Sequence, residues 1–278
     1  RTPVIDGRLL VVEIEDRRCA QPVLKWSSRV YPTHPVGERV HGLLPVALNA
    51  KTEPWNLQVI CGKRSAAFAI PIVHGDYPES ELSVDPKYSA KAPPRARRES
   101  RAIREAFRQS HTGRLWREPF VVPAQGPVTS VFGVRRVFNG KVQSRHRGVD
   151  LDGVVGDPIV AANDGVVVLA ADDFYYSGNA LFIDHGDQLF SLYLHLSETT
   201  VQQGDRVRRG QRIGSMGKSG RVTGPHLHFA VKLNGTYVRP SDLLDYQPQA
   251  LLEVATTTTA TSRLSQATDR LPAQTATD

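Results

Sequence analysis

Short strand-like runs punctuated by glycine, with no helix signal of any length, constrain the fold of residues 119–246 more than any other feature. Apolar, β-branched runs alternate there with tight turns, and Asn139-Gly140 and Asn234-Gly235 each stand between two such runs. Asn-Gly favours a two-residue hairpin turn because both of its residues tolerate positive φ. The pattern predicts a β-rich domain built of hairpins over 119–246.

The N-terminal part is also predicted to be β-rich, but its residues form no pattern that is typical of a catalytic site. Pro, Gly and Asn separate four apolar runs within residues 1–86, at 9–14, 43–48, 57–60 and 67–73. This spacing is typical of a small β-sandwich or barrel, which we predict for 1–86. Three histidines are scattered singly in it, and we interpret His34, His41 and His74 as loop or surface residues.

The positive charge of the chain is concentrated in one connector. The formal net charge is +7, but residues 87–117 hold ten Lys or Arg and two Glu, a net of +8, so the other 247 residues sum to −1. We predict a basic helical linker over 87–118, with a helix at 95–109 that ends before Gly113. Its arginines are either solvated or in contact with a polyanion. Because the excess charge is local, the composition does not indicate a nucleic-acid-binding fold.

Length and composition indicate how many domains the chain forms and whether any segment could cross a membrane. The 278 residues suit two domains of ordinary size, and 40% hydrophobic residues suffice for a core. No apolar run reaches the ~18 to 20 residues that a membrane helix needs, so we expect no stable membrane insertion. The tail at 247–278 is rich in Thr, Ala and Gln and is predicted to be disordered. The chain begins at Arg1 and has no signal-peptide pattern, which fits a processed or truncated product.

The two cysteines leave two interpretations open. Cys19 and Cys61 match no metal-ligand spacing, and two thiols cannot build a disulfide framework. They form either one bridge across the N-terminal β domain or two buried free thiols.

Five of the nine histidines fall between residues 146 and 228, and four of these five form three features. These are His146 with Asp150 four residues later, His195 at the end of a strand-like run, and the pair His226-Leu227-His228. Residues i and i+2 of a strand point to the same face, so the paired histidines project side by side while Leu227 enters the core.

The chemistry of these side chains indicates a hydrolytic metal centre. Zinc accepts imidazole nitrogen and carboxylate oxygen, and its catalytic sites use three protein ligands with the fourth position left for water. His146, Asp150 and one histidine of the pair supply that number. His195 and the other histidine remain as uncoordinated acid–base groups. No cysteine lies near these positions, which argues against a structural zinc site.

The order of these motifs resembles that of a known family. His-x-x-x-Asp, then Tyr-x-His-Leu, then Gly-Pro-His-Leu-His-Phe is similar to the lysostaphin-type (LytM-type) zinc metallopeptidases, which cut peptide cross-bridges of peptidoglycan. The resemblance covers about 120 residues, 123–243. It includes further matching motifs at 130–136, 146–152, 164–167, 177–179, 183–186 and the glycine-punctuated turns of 204–220.

The resemblance implies a fold and a role for each site residue. It implies a mainly antiparallel β LytM-type metallopeptidase domain, with zinc held by His146, Asp150 and His228. The two unliganded catalytic histidines map onto His195 and His226. His185 matches a family position that is not a ligand and is expected to be structural. All five ligand and catalytic positions of the family are present in this sequence.

The same resemblance implies a substrate and a compartment. An N-terminal β domain and Phe138-Asn139-Gly140 before the first ligand resemble Gram-negative periplasmic members, which favours a D-alanyl–diaminopimelate cross-link over an oligoglycine bridge. A periplasmic or secreted location follows, and it favours the bridged state of the two cysteines. The loops around Asn139-Gly140 and at 218–223 are expected to wall the site. The basic linker either holds the enzyme near anionic wall polymers or is a solvated hinge.

Two alternatives belong to other classes of function. One is a latent or non-catalytic LytM-like regulator of other cell-wall hydrolases, which would have a regulatory protein partner. The other is a lipoyl or biotinyl carrier module, which needs a modifiable lysine at an exposed hairpin tip between methionines. Here Met216 is the one methionine and Lys218 lies in a glycine-rich loop. The carrier interpretation also leaves the five matched histidine and aspartate positions unexplained.

Overall fold

Short strands make up most of the chain in a computed structural model that describes residues 2–16, 19, 21–81, 93–138, 141–248 and 264–265. No helix in the described residues is both long and apolar enough to cross a membrane. The mainly β fold class is confirmed, with a sandwich-like N-terminal part, a connecting helix and an antiparallel β C-terminal part. The domain limits at 1–86, 87–118, 119–246 and 247–278 stay predictions.

The N-terminal part folds as two four-stranded sheets with short additional strands. Its strands are β1 (Val4–Ile5), β2 (Leu9–Ile14), β3 (Val23–Trp26), β4 (Arg29–Tyr31), β5 (Thr33–Val36), β6 (Arg39–Pro45), β7 (Trp55–Cys61), β8 (Arg64–Ile70), β9 (Ile72–Val73) and β10 (Glu79–Glu81). One sheet has the order β4-β3-β7-β8, and the other contains β2-β6-β5. Leu24 and Trp26 from the first and Leu44 from the second are fully buried in one core. Shared burial between the two sheets stabilises the sandwich.

Two expectations for this part have clear outcomes. The structure contains the Cys19–Cys61 disulfide, which joins the segment between β2 and β3 to the end of strand β7. The interpretation of His41 as a loop or surface residue is wrong, because His41 lies on β6 and is 2% exposed. Its Nδ1 is 2.7 Å from the hydroxyl of Tyr246, so the C-terminal part covers it. His74 is exposed, as expected.

The basic connector contains helix α1 (Pro94–Ala106), which packs on the C-terminal part. Ile103, Ala106 and Phe107 contact the buried residues around Phe182 and Phe190. The helix ends three residues before the predicted 109, because Ser110 and His111 hydrogen-bond to the buried carboxylate of Asp184 and turn the chain away. The side chains of four helix arginines, Arg97, Arg98, Arg101 and Arg104, are exposed.

The C-terminal part is built of antiparallel strands. They are β11 (Val128–Ser130), β12 (Arg135–Phe138), β13 (Lys141–Arg145), β14 (Val149–Asp152), β15 (Pro158–Val160), β16 (Gly165–Phe174), β17 (Gly178–Asp184), β18 (Leu189–Leu196), β19 (Glu198–Thr199), β20 (Arg206–Val207), β21 (Arg212–Ser215), β22 (His226–Leu233) and β23 (Thr236–Val238). The eight-stranded main sheet has the order β11-β14-β22-β18-β17-β16-β20, with β23 also paired to β22. The short strands β15, β21 and β19 form a second sheet.

Alternation along the central strand of the main sheet decides which residues enter the core. Leu227, Phe229 and Val231 of β22 are fully buried in the core between the sheets. The residues between them point to the opposite face, as the period of a strand requires. The predicted burial of Leu227 between the paired histidines is confirmed.

Of the two predicted hairpin turns, the one at Asn234-Gly235 lies within the described residues. Asn234 and Gly235 join β22 to β23 with φ values of +48° and +86°, the positive values that a type I′ turn requires. Strands β12 and β13 pair as a hairpin around residues 139–140, but that turn itself lies outside the described residues. A five-residue helix, α2 (Pro240–Leu244), follows β23. Of the predicted disordered tail, a strand β24 (Leu264–Ser265) paired with β2 is described.

Polar contacts join the N-terminal and C-terminal parts. The buried carboxylate of Asp242 on α2 accepts hydrogen bonds from the side chain of Arg8, at 2.8 Å, and from the backbone N–H of Leu9, at 2.9 Å. Leu9 also packs in the core of the C-terminal part. Helix α2 is thereby held against the N-terminal sheets, since a carboxyl group this buried needs hydrogen-bond partners.

Candidate metal centre

Strand register brings the predicted site residues together at one end of the main sheet. In the pairing of β14 with β22, Asp150 stands opposite His228 and Asp152 opposite His226. On the other side of β22, Leu194 pairs with His228, which places His195 one residue beyond. The structure therefore collects side chains from three adjacent strands.

His146, Asp150 and His228 converge on one point. His146 Nε2 lies 3.0 Å from Asp150 Oδ1 and 3.0 Å from His228 Nδ1. His228 Nδ1 lies 2.8 Å from the same carboxylate oxygen. Among the described residues, these three form a group of potential ligand atoms within 4.8 Å of one another.

The hydrogen bond on the far side of the His146 ring fixes its tautomer. Its Nδ1 lies 2.8 Å from the carbonyl oxygen of Val131, which can only accept, so Nδ1 carries the proton. The ring is 1% exposed, which holds it in place. In the neutral ring, Nε2 is left with a lone pair that points toward Asp150 and His228.

This arrangement fits a bound cation. The Nε2 lone pair of His146 faces a carboxylate oxygen at 3.0 Å, and two acceptors at that distance repel unless a proton or a metal ion lies between them. Two imidazole nitrogens and one carboxylate oxygen form a donor set that zinc accepts. A carbonyl that orients the far nitrogen of a ligand histidine is a recurrent feature of metal sites.

The charge of Asp150 suits the same role. Burial raises the pKa of its carboxyl group, but the close contacts with the rings of His146 and His228 outweigh burial and hold the pKa well below its usual range. The carboxylate is therefore ionised at neutral pH. Burial lowers the pKa of His228, which favours the neutral ring that a metal ligand requires.

His195 is oriented by the loop at 218–223. Its Nδ1 lies 2.9 Å from the carbonyl oxygen of Ser219, so Nδ1 carries the proton and Nε2 is the acceptor. Its backbone has a φ of +69°, in the left-handed region that residues other than glycine rarely adopt. Burial, together with His228 and His226, lowers its pKa to about 3. His195 is thus a neutral imidazole beside the ligand group.

His226 is oriented in the same way on the opposite side. Its Nδ1 lies 3.0 Å from the carbonyl oxygen of Gly224, and its Nε2 lies 3.9 Å from Asp150 Oδ1. The rings of His195 and His226 are 5.0 Å apart between centroids. Two imidazoles with fixed tautomers therefore stand next to the three potential ligands.

His185 stands apart from this group. It is fully buried, its Nδ1 donates to the Asp164 carbonyl at 2.7 Å, and its Nε2 is 2.7 Å from the hydroxyl of Ser191. Both ring nitrogens are engaged within the fold, and burial lowers the pKa to about 4. These contacts agree with the predicted structural role.

Two neighbours of the proposed ligands, Gly148 and Arg136, were not singled out from the sequence. Gly148 lies against the ring of His228, since a Cβ built on it would be 2.8 Å from the ring nitrogen Nε2 and 2.4 Å from the carbonyl oxygen of Phe229. Arg136 lies 3.7 Å from Asp150 Oδ2. Alternation on strand β12 could have indicated that only one residue of the Arg135-Arg136 pair faces the site.

An antiparallel sheet that presents two histidines, one carboxylate and two further oriented imidazoles defines a candidate hydrolytic metal centre on a β domain. Residues 144–240 match Peptidase family M23. These residues, which include all five predicted site positions, therefore form a Peptidase M23 domain.

The chain is similar to named relatives over this region. It is 41% identical over 126 residues to the peptidoglycan DD-endopeptidase ShyC of Vibrio cholerae, covering 45% of this chain and 29% of ShyC. It is 39% identical over 113 residues to the DD-carboxypeptidase/endopeptidase Mpg of Neisseria meningitidis, covering 41% of this chain and 26% of Mpg. The chain thus spans less than a third of the length of these relatives.

A solved structure extends the similarity to both parts of the chain. A Pseudomonas aeruginosa protein described as a peptidase M23 superposes with a TM-score of 0.68 and 26% identity. The match covers 88% of this chain and 96% of the other. The arrangement of the N-terminal sheets beside the M23 domain is therefore a fold seen in another protein.

Proposed function

We propose that this protein is a zinc-dependent endopeptidase that hydrolyses peptide cross-links of bacterial peptidoglycan. The observation that carries the proposal is the convergence of His146, Asp150 and His228 within 3.0 Å, with two oriented imidazoles beside them. The relatives named for peptidoglycan endopeptidase activity support the substrate class.

In this proposal, His146, Asp150 and His228 hold the metal ion. The bound ion supplies a Lewis acid for the scissile carbonyl and lowers the pKa of a bound water. His146 is kept in the ligating tautomer by the Val131 carbonyl, and Asp150 contributes the one negative charge of the set. Two histidines and one carboxylate, with no cysteine among them, would form the three-ligand set of a catalytic rather than a structural zinc site.

His195 and His226 handle the proton and the developing charge. Each donates its Nδ1–H to a backbone carbonyl, so each presents Nε2 to the reacting groups. A neutral Nε2 accepts the proton of the attacking water, and the resulting imidazolium donates it to the departing amine. The other ring, when its Nε2 carries a proton taken up from solvent, donates a hydrogen bond to the negatively charged oxygen of the tetrahedral intermediate.

The bond we assign to this enzyme is the D-alanyl–diaminopimelate cross-link. The relatives ShyC and Mpg support this assignment, since both names specify DD-peptide hydrolysis. We also propose a periplasmic or secreted location. The Cys19–Cys61 disulfide supports it, because structural disulfides persist in oxidising compartments.

Product analysis of defined muropeptides tests the proposal. The full chain, loaded with one equivalent of zinc, is expected to convert a D-alanyl–diaminopimelate cross-linked dimer to monomers, which mass spectrometry resolves. Chelation should abolish the conversion and added zinc should restore it. A zinc-loaded protein that leaves both cross-linked dimers and whole walls intact would falsify the assignment and favour a non-catalytic regulator.

A further inference from the structure

Strand β12 presents two adjacent arginines to opposite faces. Arg135 forms an ion pair with Glu79 of strand β10, at 2.6 Å. Arg136 points the other way, toward the metal-site carboxylate of Asp150. One guanidinium is thus used to join two strands, whereas its neighbour is directed at the site.

Arg136 lies near Oδ2 of Asp150, whereas Oδ1 is the oxygen proposed to bind the metal ion. Its guanidinium lies 3.7 Å from Oδ2, which is longer than a hydrogen bond, while Oδ1 is the oxygen that faces His146 and His228. The Arg136 side chain is 28% exposed, so it is partly accessible to solvent beside the metal site.

Arg221 lies on the loop that orients His195. Its backbone N–H donates to the carbonyl of Tyr176 at 3.1 Å, and its guanidinium stacks on the Tyr176 ring at 4.8 Å. The side chain of Ser219, two residues earlier, hydrogen-bonds to the Leu196 carbonyl at 2.7 Å. These contacts hold the loop, and therefore Arg221, in a fixed position next to the catalytic histidines.

The two arginines, Arg136 and Arg221, form what we call the arginine pair. Arg136 lies beside the ligand carboxylate, and Arg221 belongs to the loop whose Ser219 carbonyl orients His195. The elements around the metal site therefore carry two positive side chains. Positive charge that lines a site favours binding of an anionic group of a ligand.

The chemistry of the proposed substrate supplies such an anion. In a D-alanyl–diaminopimelate cross-link, the carbon attached to the scissile nitrogen carries a free carboxylate. An oligoglycine bridge has no charged group at that position. A guanidinium recognises a carboxylate through paired N–H donors, and such charge-assisted hydrogen bonds are among the stronger ones.

We propose that Arg136, assisted by Arg221, binds the carboxylate on the carbon attached to the scissile nitrogen and thereby selects diaminopimelate cross-links. The inference rests on the proposed endopeptidase function. It makes Arg136 a specificity-determining residue, which positions the leaving-group side of the substrate relative to the ligands and to His195.

The test compares two substrates that differ in one group. One is the cross-linked dimer with the free diaminopimelate carboxylate, and the other is the same dimer with that carboxylate amidated. We expect the zinc-loaded wild-type chain to prefer the free acid by about 10- to 100-fold in kcat/KM, the range expected for charge-assisted hydrogen bonds. In Arg136→Gln the preference should fall to about threefold or less. Arg221→Gln should reduce it partially.

Arg135→Gln is the matched control. It removes a guanidinium one residue away that pairs with Glu79 on the other face, so the preference for the free acid should stay at the wild-type value. Zinc content provides the second readout. If Arg136 only oriented Asp150, Arg136→Gln would lose zinc affinity and hydrolyse both substrates more slowly by the same factor, and the proposal would be wrong.

Binding to the metal-free protein separates this proposal from the proposed function. Calorimetry with the non-cleavable free-acid and amidated dipeptide products should show tighter binding of the free acid by wild type and no such difference for Arg136→Gln. An equal affinity of the wild type for both products overturns the arginine assignment even if cross-links are cleaved. Hydrolysis of neither dimer, with the free acid still bound more tightly, overturns the endopeptidase function and leaves the carboxylate site standing.

Discussion

The N-terminal sheets and the main sheet of the C-terminal part both place histidines on strands, with different results. His41 on β6 is 2% exposed and meets the hydroxyl of Tyr246, and its Nε2 makes no hydrogen bond among the described residues. His146 is equally buried, but its free nitrogen meets two other potential ligands at 3.0 Å. Burial of a histidine therefore does not indicate chemistry; the convergence of several donor atoms does.

The largest expected effect is on zinc content, which should fall when a proposed ligand in the main sheet is removed and stay unchanged when an N-terminal histidine is removed. His228→Ala leaves His146 and Asp150 without the third donor, so zinc content should fall from about one equivalent to near zero and hydrolysis to background. Zinc is measured by mass spectrometry of the desalted protein. His74→Ala, at an exposed N-terminal histidine, is the control and should retain both zinc and activity.

Removing a proposed acid–base histidine should separate catalysis from metal binding. His195→Asn keeps a residue that tolerates the left-handed backbone but lacks a titrating ring, so we expect full zinc content and a loss of about 10²- to 10⁴-fold in kcat. Loss of zinc from this variant would show that His195 is a ligand and that the division of roles is wrong.

The packing of Gly148 against His228 predicts an intermediate effect. In Gly148→Ala the added methyl group displaces the ligand ring, and zinc affinity should fall by about 10- to 100-fold, as for other changes that disturb a ligand's surroundings. A competition titration against a chelator measures it. Gly224→Ala is the matched control, because a Cβ there meets nothing within 4 Å. Equal affinities in the two variants would exclude the steric explanation.

Protonation of His41 should make the free energy of unfolding depend on pH, whereas replacement of His41 should leave the zinc content unchanged. Burial, with Arg39 and Arg114, lowers its pKa from 6.5 to about 4, so the unfolded chain binds more protons between these values. Stability therefore decreases as the pH falls from 6.5 toward 4. The Glu13 carboxylate 3.7 Å from Nε2 offsets part of the cost, so we expect about 1 kcal/mol from this residue.

Denaturant unfolding at pH 7 and pH 5 measures the contribution of His41. His41→Gln should be less stable than wild type at pH 7 and should show a smaller loss between the two pH values. An unchanged pH dependence in this variant would assign the effect to other groups.

The exposed arginines of α1 should have the smallest effect. Replacing Arg97, Arg98, Arg101 and Arg104 with Gln is expected to change the free energy of unfolding by less than about 0.5 kcal/mol per residue, since their side chains are solvated. We also expect unchanged pelleting with cell walls. A reduced pelleting that disappears at high salt would instead assign the helix to binding anionic wall polymers.

The proximity of the proposed site residues could be predicted from the sequence more readily than the packing of the residues around them. Strand alternation around Leu227 and the spacing of His146 and Asp150 are local patterns, so they could be interpreted without coordinates. The environment of His41 depends on Tyr246, which is distant in sequence, and no local pattern reports such a contact. The early end of α1 likewise results from hydrogen bonds to Asp184, far along the chain.

The left-handed backbone of His195 affects how a protein of this kind evolves. A non-glycine residue at a φ of +69° costs about 1 to 2 kcal/mol relative to an unstrained conformation, and glycine at that position would recover much of it. Selection for stability alone would thus remove this histidine. Loss of the imidazole would be favoured in any copy of the chain whose hydrolytic activity was no longer under selection.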